Sequence, residues 1–129
     1  MERIKEILRS KSLKLTKQRL LIASFVFDGH DKHVTAESLY RELTKSKSKI
    51  SLATIYNALQ DFYKKKLLKK LSIDSEKIYF DTNTSDHHHF YSKEDKLLID
   101  VENSLNIRGL PKAPRGKKIK KIEFFVHLK

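Results

Sequence analysis

The chain has 129 residues, of which 39% are hydrophobic and 34% charged, so it can bury one good core or two small ones joined by a hinge. We expect no signal peptide, and because no stretch approaches the roughly 18 apolar residues of a bilayer span, we expect no membrane segment. Cysteine is absent, which excludes disulfides and thiolate zinc sites. A cytoplasmic protein fits these bounds.

The charge balance is strongly basic. The net charge is +12, from 28 Lys and Arg against 16 Asp and Glu. Residues 1–80 hold 18 basic and 9 acidic residues, whereas residues 81–129 hold 10 and 7. A polyanionic partner, most simply nucleic acid, is the leading inference, with salt-sensitive affinity as its consequence. A lysine-rich composition also arises in AT-rich genomes without functional cause, so the charge alone does not establish nucleic-acid binding.

The first half of the chain predicts three helices separated by short turns, at residues 2–10, 17–27 and 36–45. Thr16 and Thr35 stand just before the second and third helices, where a hydroxyl can accept from a backbone N–H of the first turn. The turn between these two helices, residues 28–33, holds chain breakers and two histidines. A polar turn at residues 46–49 then leads into a fourth helix.

The stretch Ile50–Phe62, which predicts the fourth helix, carries the most information, and lysines 64–66 are expected to close that helix. Its apolar residues recur at helical spacing and predict an inward stripe of Leu52, Ile55, Leu59 and Phe62. Ser51 is placed to cap its first turn. The other face has small, amide and aromatic groups without charge: Ala53, Thr54, Tyr56, Asn57 and Gln60. Asn and Gln can pair with adenine, and small or methyl-bearing residues can meet the thymine methyl. An ordinary amphipathic helix with a polar outer face is the alternative.

The segment after this helix predicts a hairpin. Two β-rich runs, residues 67–73 and 77–80, flank the polar turn at 74–76. A hairpin directly after a helix-turn-helix forms a wing that can lie along a DNA backbone. Residues 1–80 are therefore predicted to form a winged helix-turn-helix DNA-binding domain, with a double-stranded DNA operator as partner.

The second part of the chain predicts a small sheet. The polar, turn-forming segment 81–86 is predicted to be a hinge. Three strands are predicted beyond it, at residues 87–91, 96–101 and 118–128. A sheet of roughly 45 residues is too small to be stable alone, so a homodimer is expected to cover its apolar face and edge. The predicted fold class is α+β, with the winged-helix domain followed by a small α/β or β domain, residues 87–129, for dimerisation and ligand sensing.

Six histidines stand at positions 30, 33, 87, 88, 89 and 127. Because side chains alternate along a strand, His87 and His89 are expected on one face and His88 on the other. Two imidazoles on one face form half of a metal site. Further ligands could come from His33, Asp81 and Asp100. This N/O set suits zinc, iron or manganese, although a solvated polar strand or a chance run is the alternative. If His33 joined His87 and His89, the ion would bridge the two domains and transmit its occupancy to DNA binding.

Several sequences together resemble the ferric uptake regulator family nearly from end to end. They are Leu15-Thr16-x-x-Arg19-Leu20, His33-Val34-Thr35-Ala36-Glu37-x-Leu39-Tyr40, Ser51-Leu52-Ala53-Thr54-Ile55-Tyr56 and the histidine run. Within the family, four sequences look most similar to the haem-responsive iron response regulator branch. They are Ile55-Tyr56-Asn57-Ala58-Leu59, Tyr79-Phe80-Asp81-Thr82-Asn83-Thr84, Asp86-His87-His88-His89-Phe90 and Leu110-Pro111-x-Ala113-Pro114-x-Gly116.

This resemblance implies a dimeric metalloregulator that represses or activates iron and haem genes. On matching positions, Tyr56 and Asn57 would read bases. The backbone or minor groove would be met by Lys14, Thr16, Arg19, Ser51 and Thr54. The family's regulatory metal site carries over to His33, Asp81, His87, His89 and Asp100, for iron, manganese or zinc. The haem-binding histidine motif carries over to His87, His88 and His89.

Two departures from the family pattern affect this interpretation. The paired Cys-x-x-Cys structural zinc sites and the cysteine-containing haem motif are both missing, which leaves histidines as the candidate haem ligands. Aspartate at both 81 and 100 also resembles the peroxide-stress regulators of the family, where bound iron oxidises a histidine ligand. A peroxide-sensing repressor is therefore the alternative function.

Two other classes of protein are less favoured. A DNA-binding protein with inert histidines would show operator affinity that does not respond to metal or haem. A hydrolase would need a placed general base beside an open metal position. The sequence has no Ser or Cys nucleophile motif, no phosphate-binding glycine loop and only 3 glycines, so we expect no enzymatic activity.

Overall fold

The structure, a computed structural model, describes residues 1–74, 76–102 and 108–129. By its internal contacts the chain divides into two units, Met1–Thr84 and Ser85–Lys129. The division falls inside the predicted hinge of residues 81–86, although Asp81 itself lies in the last strand of the first unit. In the parts of the chain that the structure describes, no helix combines the length and apolarity needed to cross a bilayer.

Helices dominate the first unit. They are α1 (Glu2–Ser10), α2 (Lys17–Val26), α3 (Ala36–Lys45) and α4 (Leu52–Lys64). The predicted helices are confirmed, with α2 one residue shorter because Phe27 forms its C-cap. The predicted caps are confirmed too. The hydroxyls of Thr16 and Ser51 each accept a backbone N–H three residues ahead at 3.1 Å, and Thr35 forms a reciprocal capping box with Ser38.

The first unit also contains a three-stranded antiparallel sheet. Its strands are β1 (His33–Val34), β2 (Lys69–Leu71) and β3 (Tyr79–Asp81), in the order β1-β3-β2. The pairing of β2 with β3 confirms the predicted wing hairpin. The sequence did not predict β1, which occupies the end of the segment assigned to a turn. Its two residues pair with the far edge of β3, so that His33 lies opposite Asp81.

The core of the first unit is built around α4. Ile55, Leu59 and Phe62 are fully buried, as predicted, and the Phe62 ring packs edge-on against Phe27. The prediction for Leu52 is wrong, because this side chain is 41% exposed. Leu52 is the first helical residue, and helical side chains tilt toward the N-terminus, which carries it past the core. Ile50 is buried instead, at the position before the cap from which a hydrophobic staple reaches the first helical turn.

The described part of the second unit contains three short strands. They are β4 (His89–Ser92), β5 (Leu97–Asp100) and β6 (Phe125–His127), in the order β5-β4-β6. The central strand pairs antiparallel with β5 and parallel with β6. All three predicted strands are present but shorter, and His87 and His88 precede β4 rather than lying within it. Together the two units confirm the α+β class.

The buried stripe of α4 should dominate the stability of the first unit. We expect Leu59→Ala to lower the free energy of unfolding by about 2–5 kcal/mol, because it leaves a cavity at a fully buried position. The matched control, Leu52→Ala, makes the same change on the same helix at an exposed position and should cost about 1 kcal/mol or less. Urea unfolding followed by helical circular dichroism measures both, and equal losses would contradict this description of the core.

Candidate metal centre and nucleic-acid interface

The first unit contributes one histidine–aspartate pair. The register of β1 and β3 brings His33 Nε2 to 3.0 Å from Asp81 Oδ2. The Asp81 side chain is fully buried, and its other oxygen accepts the backbone N–H of Asn83 at 2.9 Å. Thr82 fixes the strand end, since its N–H donates to the Lys32 carbonyl and its hydroxyl accepts the Lys32 N–H. The carboxylate is therefore held in one position beside the imidazole.

The second unit contributes two histidines on one carboxylate. The register of β4 and β5 places His89 opposite Asp100. The Nε2 atoms of His87 and His89 lie 3.1 and 3.3 Å from Asp100 Oδ1, and candidate ligand atoms of the three side chains lie within 4.8 Å of one another. His89 is buried, and its ring stacks on Phe125 with centroids 5.5 Å apart. Three potential ligands thus converge within this unit.

The hydrogen bond of His87 fits the role of a metal ligand. Its Nδ1 lies 2.7 Å from the carbonyl oxygen of Ser85. A carbonyl can only accept, so Nδ1 carries the proton, and in the neutral ring Nε2 presents its lone pair. That lone pair faces the Asp100 carboxylate, an arrangement that needs a proton or a metal ion between the two atoms. A backbone carbonyl on the far nitrogen is the usual support of a metal-bound imidazole.

The other histidines lie apart from these ligands. His88 Nδ1 accepts the backbone N–H of Phe124 at 3.0 Å, and its ring packs edge-on against the Phe124 ring. His127 packs against Tyr91, and His30 is exposed in the turn after α2. The predicted haem set of His87, His88 and His89 is thus split between the Asp100 cluster and the Phe124 backbone, and haem binding stays a prediction.

The predicted DNA-contacting residues of α4 occupy its outer face. Ala53 and Asn57 are exposed, and Thr54 is half-buried. Tyr56 is also half-buried, since its ring packs edge-on against Phe80 and its hydroxyl accepts the Gln60 side-chain amide at 2.6 Å. Asn57 therefore presents its amide to solvent, whereas Tyr56 presents only part of its ring.

A cleft of about 190 Å³ between α2 and α4 brings several predicted DNA-contacting residues together. Thr16, the N-cap of α2, and Arg19 line one side, and Thr54 and Asn57 line it from α4. Lys14 precedes α2 and Ser51 precedes α4 in the sequence, and both side chains are exposed. The cleft thus brings together four of the residues inferred from the resemblance, and their contact with DNA stays a prediction.

The sequence did not single out Asp61, which also lines this cleft. Its Oδ2 accepts from the Arg19 guanidinium at 3.0 Å, and the same guanidinium donates to the Lys14 carbonyl at 2.7 Å. Asp61 is the only acidic residue of α4 and lies one helical turn after Asn57. A single acid on the face expected to contact DNA was the sequence feature that could have pointed to a partner for Asp61.

Comparison with known proteins places the chain in a family. Residues 10–126 match the ferric uptake regulator family. The chain is 32% identical over 108 residues to the ferric uptake regulation protein of Campylobacter upsaliensis, covering 81% of this chain and 69% of that protein. It is also 32% identical over 95 residues to the peroxide-responsive repressor PerR of Staphylococcus aureus strain Mu50, covering 74% of this chain and 64% of that protein. The chain therefore spans slightly less than two thirds of the repressor's length.

The fold also matches solved structures. A ferric uptake regulator from Pseudomonas aeruginosa, solved with manganese, superposes with a TM-score of 0.70 at 19% sequence identity, covering 97% of this chain and 96% of that one. This likeness confirms the predicted fold. Members of the family are transcriptional regulators, which confirms the prediction that the chain is not an enzyme. With its sequence match extending over residues 10–126, the chain belongs to the ferric uptake regulator family.

Proposed function

We propose that the chain is a metal-responsive transcriptional regulator that binds operator DNA as a homodimer. A divalent ion bound by His33, Asp81, His87, His89 and Asp100 controls its DNA affinity. The observation that carries this proposal is the convergence of two imidazoles on the Asp100 carboxylate, one of them supported by the Ser85 carbonyl. The family to which the chain belongs supports the same function.

The ligand set is divided between the two units, which gives the ion its regulatory role. His33 and Asp81 belong to the first unit, and His87, His89 and Asp100 belong to the second. An ion that takes ligands from both sets restricts the orientation of the DNA-binding unit. Such an ion binds one conformation more tightly than the others, and this difference in affinity is what shifts a conformational equilibrium. Iron, manganese and zinc all suit imidazole and carboxylate ligands.

The genes under control are proposed to serve iron or haem homeostasis, with peroxide stress as the second candidate. The same degree of identity to a ferric uptake regulation protein and to a peroxide-responsive repressor supports both. Aspartate at positions 81 and 100 favours the peroxide candidate by resemblance. The histidines at 87 to 89 favour the haem-responsive branch, again by resemblance.

A homodimer would cover apolar surface on the second unit. Leu97 and Ile99 on β5, and Val126 on β6, are each more than 40% exposed. A three-stranded sheet with such a surface gains stability when a second copy packs against it. Two copies of α4 would then read two halves of an operator, as in other dimeric helix-turn-helix proteins.

A single shared ion predicts that aspartates from both units affect one binding event. We expect Asp81→Asn and Asp100→Asn each to weaken Co²⁺ binding at least about tenfold, because each removes a charged ligand. Titration followed by the visible absorbance of Co²⁺ should give one ion per chain. Asp95→Asn, in the exposed turn between β4 and β5, is the control and should bind normally. Two ions per chain, with Asp81→Asn affecting one of them, would contradict the shared site.

Metal occupancy should alter DNA affinity through the histidines. We expect Mn²⁺ to change the affinity of the wild-type chain for a selected operator by about 5–150-fold, the usual range of allosteric coupling. The double variant His87→Ala/His89→Ala should show no such change while its circular dichroism stays native. His127→Ala, a histidine outside the ligand set, is the control. Fluorescence anisotropy with and without metal measures all three, and a double variant that still responds would refute the sensor assignment.

Asn57 should contribute base discrimination. We expect Asn57→Ala to reduce the preference for the operator over single-base variants by about 1–3 kcal/mol at one base pair of each half-site, through loss of a bidentate contact. Tyr40→Ala, an exposed substitution on α3, should leave the preference unchanged. Binding of a library of operator variants measures the effect, and an unaltered preference at every position would exclude Asn57 from base reading.

A further inference from the structure

The Arg19 side chain is bound within the protein rather than directed freely into solvent. Its guanidinium donates to the Asp61 carboxylate on α4 at 3.0 Å and to the Lys14 carbonyl in the segment before α2 at 2.7 Å. Its own backbone N–H donates to the Thr16 hydroxyl at 3.1 Å. Arg19 therefore connects α4, the start of α2 and the segment that carries Lys14.

The position of Asp61 is unfavourable for a protein that binds a polyanion. Asp61 follows Asn57 by one turn on the same face of α4, and both line the cleft between α2 and α4. A bare carboxylate there would repel DNA phosphates, because like charges in partly desolvated contacts cost free energy. The Arg19 guanidinium neutralises this charge locally.

Stability alone does not account for the pair. The side chains of Arg19 and Asp61 are 20% and 40% exposed, and ion pairs this accessible to solvent add little to folding free energy. The pair does, however, determine whether the Arg19 guanidinium can bind a phosphate at the surface proposed to face DNA. A guanidinium that already donates to Asp61 and to the Lys14 carbonyl offers fewer donors and less net charge to a phosphate.

We infer that Asp61 is a positioning and specificity-determining residue that holds Arg19 in an intramolecular pair and withholds it from the DNA backbone. This inference rests on the proposed DNA-binding function. It assigns Arg19 a role different from the phosphate contact implied by the family resemblance. Phosphate contacts carry no sequence information, so the loss of one phosphate contact lowers the affinity for every DNA sequence. Base contacts then contribute a larger fraction of the binding free energy on the operator.

The salt dependence of DNA binding measures this directly. Each phosphate ion pair adds about 0.9 to the magnitude of the slope of log K against log salt concentration. We expect Asp61→Asn to release Arg19 to a phosphate and to steepen this slope by about 0.9 per bound subunit on non-operator DNA. Affinity for non-operator DNA at low salt should rise about two- to fivefold, the contribution of one exposed ion pair.

Two variants distinguish this effect from a general change of charge. Arg19→Gln/Asp61→Asn removes both members of the pair and should have the wild-type slope, because Arg19 makes no phosphate contact in the wild-type protein. Asp28→Asn removes an aspartate that is likewise paired, with Lys32 at 2.7 Å, in the turn outside the cleft. It matches the charge change of Asp61→Asn and should leave the slope unchanged.

An Asp61→Asn slope equal to that of the wild type would overturn the inference. So would a double variant whose slope is shallower than the wild type by about 0.9, since Arg19 would then be a phosphate contact already. The NMR signal of the Arg19 side-chain N–H provides a reading without DNA, and it should shift in Asp61→Asn but not in Asp28→Asn. Failure of the proposed regulatory function would appear separately, because metal would then not change the operator affinity of any variant.

Discussion

Cross-strand pairing of histidine with aspartate is the constraint on which both halves of the candidate metal centre depend. In the first unit the β1–β3 register sets His33 opposite Asp81, and in the second the β4–β5 register sets His89 opposite Asp100. Directly opposed residues in an antiparallel ladder are held about 5 Å apart, close enough for imidazole and carboxylate to meet. The backbone hydrogen bonds of the two sheets therefore pair four of the five candidate donors, whereas His87 precedes β4 and is held by the Ser85 carbonyl.

Helix α4 combines two functions on opposite faces. Its inner face supplies the centre of the first unit's core through Ile55, Leu59 and Phe62, while its outer face presents Asn57 beside the cleft. The Arg19–Asp61 pair joins this outer face to the segment before α2. Packing fixes the helix, and the polar contacts of Arg19 fix the side chains beside its outer face.

The features predictable from sequence are those with a local cause. Helical periodicity and hydroxyl caps identified the helices, because each cap bonds only three residues ahead. The two-residue strand β1 was missed because its pairing with β3 depends on residues almost 50 positions away. The predicted strand 118–128 is reduced to β6 for the same reason, since only its end pairs with β4. The candidate metal ligands were identified by their chemistry and by the family resemblance. The contact of Arg19 with Asp61 was not predicted, because the two residues are 42 positions apart and the sequence shows only one acid on α4.

The shortness of β1 places a candidate metal ligand directly before a helix. His33 is followed by Val34, and Thr35 already belongs to the capping box that begins α3. A rotation of the backbone at His33 must therefore be absorbed either by the sheet, where Asp81 is fully enclosed, or by the first turn of α3. The position of the His33 imidazole is thereby coupled to the first turn of α3, whose backbone N–H groups depend on the Thr35–Ser38 capping box.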